Sequence, residues 1–217
     1  MLNNKWKLKN MEHWGPRYIY YRVNRYFFEK SHPLSPNLAI GAIHFLDDWL
    51  KKTDVCLEYG AGHSTAWFAQ RVGKIISIEN RRRWYEEIRA ETDKYPNVEL
   101  LLLEPSGDMV PGCEVSWDYV NKAAEFSPET FDFVLNDGWA RSYVGIRALP
   151  FLKKGGIFCW DDWAYSFPGS SHIPGVFSRN TKIKSPPLRE FWSLVKDWRQ
   201  TWVDDGVHST AIFFKPV

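Results

Sequence analysis

Acidic residues close four apolar runs of this chain. Glu58 follows Val55-Cys56-Leu57, Glu79 follows Ile75-Ile76-Ser77-Ile78, Asp137 follows Phe131–Asn136, and Asp161-Asp162 follow Ile157–Trp160. Each run has the length and composition of a strand buried on both faces of a parallel sheet. Open α/β sheets bind their ligands beyond the carboxyl ends of the strands. Carboxylates repeated there face one crevice, at a cost that only cations, donors or a metal offset. Solvated loop acids account for any one of these positions, but strain to account for all four.

The elements that position these acids centre on Asp54–Thr65. Gly60 and Gly62 allow a tight turn with close backbone approach, and Ser64 and Thr65 open a helical pattern through Ala69. Strand, glycine turn and helix leave bare N–H groups for a small polar ligand. Glycines present for turn geometry alone are the plainer alternative. Glu79 lies about twenty residues beyond Glu58, the spacing at which a carboxylate meets ribose hydroxyls, so an adenosine-type cofactor is expected. Dinucleotide sites use Gly-x-Gly-x-x-Gly, and here the third position is Thr65. A carboxylate two residues before the first glycine suits a cationic ligand with an amino group.

These residues resemble the class I S-adenosylmethionine-dependent methyltransferases, whose first motif has the form Glu/Asp-x-Gly-x-Gly. The resemblance covers residues 36–217. It implies a Rossmann-like, doubly wound α/β fold: a mostly parallel seven-stranded sheet with a C-terminal antiparallel hairpin. It also implies S-adenosylmethionine held by Glu58, Tyr59, Gly60, Ala61, Gly62, Ser64, Thr65, Glu79, Asn80 and Asp137, with Glu58 near the methionine amino group. Asp108 lies where related enzymes contact the adenine, although the mixed stretch 104–129 blurs its register. The block strand, Asp137-Gly138, helix, Gly155-Gly156, strand, Asp161 fits the same pattern.

Asp137, Asp161 and Asp162 look like the acidic set of magnesium-dependent O-methyltransferases of the catechol and antibiotic-sugar types. That likeness implies Mg²⁺ on hard oxygen ligands, lowering the pKa of an acceptor hydroxyl. The alternative is that Asp137 positions the cofactor while Asp161 and Asp162 cap loops. Arg141, four residues past Asp137, binds a substrate anion or pairs with a strand-end acid. His208 beside the hairpin turn is a candidate base; His63 and His172 are weaker ones.

Along the chain, residues 1–35 form a basic, aromatic accessory segment. It carries Lys5, Trp6, Lys7, Lys9, Trp14, Arg17, Arg22 and Arg25. Packing against the domain, a membrane-surface contact and a nucleic-acid contact compete as its role. A helix capped by Ser35 is expected from Pro36 to Trp49. Further helices are expected over 81–92, 117–126, 142–152 and 188–199, and strands over 98–103, 200–203 and 209–215. Lys154-Gly155-Gly156 reads as a helix stop. Residues 165–187, rich in Pro, Gly and Ser, are the expected substrate loop.

The 217 residues suit one α/β domain with additions, and a net charge of +2 demands no polyanionic partner. Cys56, Cys113 and Cys159 lack paired spacing, which fits a reducing cytoplasm. The expected activity is methyl transfer to a hydroxyl of a small molecule, with a sugar or glycan favoured. An NAD-dependent oxidoreductase, a non-catalytic S-adenosylmethionine-binding scaffold and a nucleic-acid methyltransferase are the competing readings. No Asn/Asp-Pro-Pro-Tyr motif and no catalytic Pro-Cys pair support the last of these.

Overall fold

The computed structural model describes residues 14–176, 181–183 and 185–217. Lys5, Trp6, Lys7 and Lys9 lie outside them. Seven strands form one sheet: β1 (Val55–Tyr59), β2 (Lys74–Glu79), β3 (Val98–Leu102), β4 (Phe131–Asn136), β5 (Leu152–Asp161), β6 (Arg199–Asp204) and β7 (Ser209–Phe214). Their order is β3-β2-β1-β4-β5-β7-β6. The pairs from β3 through β5 are parallel, while β7 runs antiparallel to both β5 and β6. This is the doubly wound sheet with a terminal hairpin that the sequence implies.

Strand residues alternate between two cores because successive side chains leave opposite faces. Leu57, Ile76, Val134, Phe158 and Phe213 point into one, with α5 (Trp117–Asn121), α6 (Arg141–Ala148) and α7 (Pro186–Val195) packed over them. Cys56, Ile75, Phe133, Cys159 and Ile212 point into the other, covered by α2 (Ile40–Trp49) and α3 (His63–Ala69). The buried Cys56 and Cys159 thus serve as small apolar side chains. Helix α4 (Arg82–Thr92) follows β2 and buries Ile88. The aromatic content is spent largely on the first core, where Trp160 packs 4.8 Å from Phe191 and Trp163 4.8 Å from Trp202, centroid to centroid.

Two local expectations are corrected. Helix α2 starts at Ile40, not at Pro36, and Ser35 does not cap it. Its free N–H groups are met from the hairpin instead: Ala39 N–H donates to Thr210 Oγ1 at 3.0 Å and Ile40 N–H to Asp205 Oδ2 at 3.1 Å. Gly155 and Gly156 stop no helix; they lie inside β5. Gly155 has φ +74°, and the β4–β5 register shifts between Phe131 and Phe133, so the glycines form a bulge. A Cβ on Gly156 would stand 2.7 Å from the Asp132 carbonyl oxygen.

The N-terminal segment folds onto the domain through α1 (Pro16–Ser31). Its anchor is Arg25, which is buried. The guanidinium donates to Leu38 O at 2.6 Å and to Glu29 Oε1 at 2.7 Å, and lies 3.6 Å from Asp205. The opposite face leaves Ile19, Tyr20, Val23, Tyr26 and Phe27 exposed. Among the described residues no helix is long and apolar enough to cross a membrane.

Candidate active site

A cleft of about 620 Å³ opens at the carboxyl ends of β1, β2 and β4. Its floor is the turn Gly60-Ala61-Gly62. Gly60 has φ +92°, and a Cβ there would lie 2.9 Å from the backbone of Asp137 and Gly138. The ends of β1 and β4 therefore touch backbone to backbone, tied by Asp137 N–H donating to Tyr59 O at 3.0 Å. Gly62 differs: its backbone is extended, and a Cβ would meet only Ser64 Oγ at 3.5 Å. Among the described residues nothing else fills the space beside Gly62, which borders the cleft. The N–H groups of Gly60 and Ala61 donate to Ile78 O at 3.0 and 3.1 Å, so what the turn offers a ligand is open space against its backbone rather than free donors.

Trp84 fixes the turn from α4, donating from Nε1 to Ala61 O at 2.7 Å. Both ends of this contact are local to the cleft, yet nothing in the spacing from Ala61 to Trp84 announces it. Glu79 is buried at the end of β2; its Oε1 accepts from Arg81 N–H at 2.8 Å. Asn80 also lines the cleft and donates to Glu114 O at 3.1 Å, pinning the following loop. Glu29, His32, Pro33, Ser35 and Asn37 complete the wall. These residues of α1 and its joint are the part of the site that strand-end reasoning missed; a basic, aromatic composition gave no hint of them.

Glu58 is corrected. It is wholly buried and does not reach the cleft surface. Ser64 Oγ and Ser77 Oγ donate to it at 2.5 and 2.6 Å, and Thr65 Oγ1 at 2.6 Å. Thr65 Oγ1 in turn accepts from Gly62 N–H at 3.2 Å. Glu58 thus braces the glycine turn from below rather than meeting a ligand amine. Burial pushes its carboxyl up to about 7, against the three hydroxyls that pull it down. Tyr59 likewise points into the core, where its hydroxyl accepts from Ala123 N–H at 3.1 Å. Thr65 stays beneath the turn, while Ser64 borders the cleft.

Asp108 is also corrected: it is exposed and lies off the cleft wall, its carbonyl accepting from Trp117 N–H at 2.9 Å. His208 sits in the hairpin turn, where its N–H donates to Asp205 Oδ1 at 2.7 Å, and is not among the cleft residues. Burial and the Arg25 charge lower its pKa. His172 lies 3.7 Å from Asp204, and His63 pairs with Glu91 at 2.7 Å.

The remaining acids do meet. Asp137 borders the cleft, and Arg141 Nη2 donates to its Oδ1 at 2.7 Å; Arg141 Nη1 stands 3.6 Å from Asp162. Asp161 is buried and accepts from Thr210 Oγ1 at 3.1 Å, with the Asp137 carboxylate as a neighbouring charge. Burial, then the neighbouring carboxylates, push Asp161 well above the usual carboxylate range. Asp137 rises to about 6, chiefly through burial, with Arg141 opposing. Asp162 adopts φ +56°, a left-handed conformation that aspartate tolerates better than most residues.

This geometry corrects the magnesium expectation. The guanidinium of Arg141 already pairs with Asp137 at 2.7 Å and stands 3.6 Å from Asp162, and burial disfavours the charged form of Asp161. Among the described residues no three His, Cys, Asp or Glu side chains form a metal-binding group. The donor set does not fit a divalent cation.

Comparison with known proteins fixes the architecture. No family model and no curated protein matches the sequence. Solved structures do. One from Staphylococcus aureus, assigned as a caffeoyl-CoA O-methyltransferase, aligns over 99% of this chain and 100% of its own, with TM-score 0.55 and 18% identity. A Clostridium thermocellum protein assigned as an rRNA methylase aligns over 84% of this chain and 98% of its own (TM-score 0.55, 13% identity). A Streptococcus mutans protein assigned as a methyltransferase, solved with S-adenosylhomocysteine, aligns over 83% and 99% (TM-score 0.51, 12% identity). The chain has the class I methyltransferase fold. At these identities the likeness concerns the fold alone, and the methyltransferase fold here carries its cleft at the strand ends where ligands of open α/β sheets bind.

Proposed function

We propose that this protein is an S-adenosylmethionine-dependent methyltransferase acting on a hydroxyl of a small molecule, a sugar or glycan being the favoured acceptor. The observation that carries the reading is a glycine turn with no side chain over it and a buried acid at the next strand end, sharing one cleft with an ionisable carboxyl near 6. Gly60, Ala61 and Gly62 would let the cofactor lie close against their backbone, Glu79 would hold its ribose hydroxyls, and Trp84 the turn itself. S-adenosylmethionine supplies an electrophilic methyl group.

The chain's own contribution is to bind, orient and take a proton. A hydroxyl becomes a good nucleophile as it loses its proton, and Asp137 is the group at the cleft that can accept it. With a pKa near 6 it is ionised at pH 7 yet basic enough to compete for a proton. Arg141 holds the Asp137 carboxylate in place and offsets part of the charge around it. Exposed Trp139 on the cleft wall offers a flat face for a sugar ring.

Titration calorimetry with S-adenosylhomocysteine tests the cofactor assignment. Micromolar binding that Gly62→Val abolishes is expected. Lack of binding by the unaltered protein would sink the proposal.

A further inference from the structure

A second cavity, of about 430 Å³, shares Arg141 with the cleft as a lining residue. Arg141, Ser142, Trp160, Tyr165 and Lys182 are among its walls. Its volume suits a small organic ligand. Two features set it apart from packing voids. First, among the described residues two buried N–H donors have no partner: Arg141 Nε and Trp160 Nε1. Buried donors are nearly always paired, and these two belong to residues that line one cavity, where a small side-chain shift would give both an acceptor. Trp160 is only 1% exposed. Its Cζ3 edge faces Gly145, 3.1 Å from where a Cβ would stand, and Nε1 lies at the opposite end of the indole, away from that packing.

Second, the charges are one-sided. The cleft sets Glu29, Glu79 and Asp137 against Arg81 and Arg141. Among the described residues the second cavity is lined by Arg141 and Lys182 and by no carboxylate. The Nη atoms of Arg141 are committed to Asp137 and Asp162, which leaves Nε as its unmatched donor.

We propose that this cavity binds an oxyanion of the acceptor, a carboxylate or phosphate, through Trp160 Nε1 and Arg141 Nε, with Lys182 as counter-charge. The acceptor is then a hydroxylated acid or a phosphorylated sugar, its anion in the second cavity and its hydroxyl beside Asp137. The inference rests on the function proposed above.

Calorimetry on the S-adenosylhomocysteine-saturated protein tests it with two matched pairs of probes: glucose against glucose 6-phosphate, and catechol against 3,4-dihydroxybenzoate. In at least one pair the anionic member should bind tenfold or more tighter, and which pair does so identifies phosphate or carboxylate. Trp160→Phe, which keeps the ring and removes the donor, should weaken the anion about fivefold and leave the neutral probe unchanged; Lys182→Ala should act in the same direction. Equal affinity within both pairs, no binding of either anion at millimolar concentration, or anion binding indifferent to Trp160→Phe overturns the assignment. The saturation step separates the two proposals: if S-adenosylhomocysteine itself fails to bind, it is the cofactor reading that falls.

Discussion

Acids gather at both ends of the parallel strands, with opposite outcomes. At the amino ends, Asp132 accepts from Lys153 Nζ at 2.9 and 2.8 Å and from Val55 N–H at 2.9 Å. Asp54 accepts from Lys51 N–H at 2.8 Å. At the carboxyl ends one arginine faces Asp137, Asp161 and Asp162, and two of the three carboxyls are pushed upward. The residue types are alike and the strand positions equivalent. What differs is the balance of partners. Where cations and backbone donors match the acids, the cluster ties strands together. Burial raises Asp54 at the amino ends too, but at the carboxyl ends, where acids outnumber their cation, Asp137 is driven to about 6 and Asp161 well above the carboxylate range.

This contrast can be broken by substitution. The largest effect is expected from Asp137→Asn: methyl transfer to any acceptor the unaltered enzyme uses should fall about 10²–10⁴-fold. S-adenosylhomocysteine affinity should stay within a few-fold. A variant with normal turnover would return the carboxyl-end cluster to a structural role like that of the amino end.

Next comes Gly60→Ala, which places a side chain at φ +92° and against the backbone of Asp137 and Gly138. The conformation alone costs about 1–3 kcal/mol, so thermal unfolding should come several degrees earlier and calorimetry should show weakened S-adenosylhomocysteine binding. Unchanged melting would mean that β1 and β4 part easily.

Glu58 sharpens the comparison through pH. Its folded pKa, about 7, lies above the ordinary 4.5, so the folded state binds the proton more tightly than the unfolded one. Its contribution to stability is full below pH 4.5 and is lost as pH rises through 7. Melting temperature measured from pH 8 down to pH 5.5 should therefore rise, and Glu58→Gln should flatten that slope. A slope unaltered in Glu58→Gln would assign it to other groups. The smallest effect is expected from Lys153→Ala at the amino ends. This half-exposed pair should be worth about 0–1 kcal/mol in denaturant unfolding, with cofactor binding untouched.

Much of this was legible in the sequence, and the failures share a cause. Continuous apolar runs gave the five parallel strands because strands covered on both faces need nothing else, and the Gly60 turn with Glu79 gave the cleft floor. What a carboxylate faces is decided by residues far along the chain. The sequence points Glu58 at a ligand, but Ser64, Thr65 and Ser77 claim its oxygens. It makes Asp137, Asp161 and Asp162 resemble a metal set, but Arg141 pairs with Asp137 and approaches Asp162. Pro36 looked like a helix start because local capping signals say nothing of Thr210 and Asp205. Gly155-Gly156 looked like a helix stop because a bulge and a stop use the same residues.

The position of β7 has a consequence for how the molecule comes to be made. The last strand in chain order sits inside the sheet, between β5 and β6. Thr210 reaches back 49 positions to Asp161 and 171 positions to Ala39. Strands β1 to β4 can pair as they emerge from the ribosome, but β5 offers a bare edge until the hairpin arrives. Contacts so distant in sequence form slowly, and an open edge strand is a template for aggregation. The Asp161–Thr210 contact therefore forms only once the hairpin has been made, and until then β5 stays unpaired on that side.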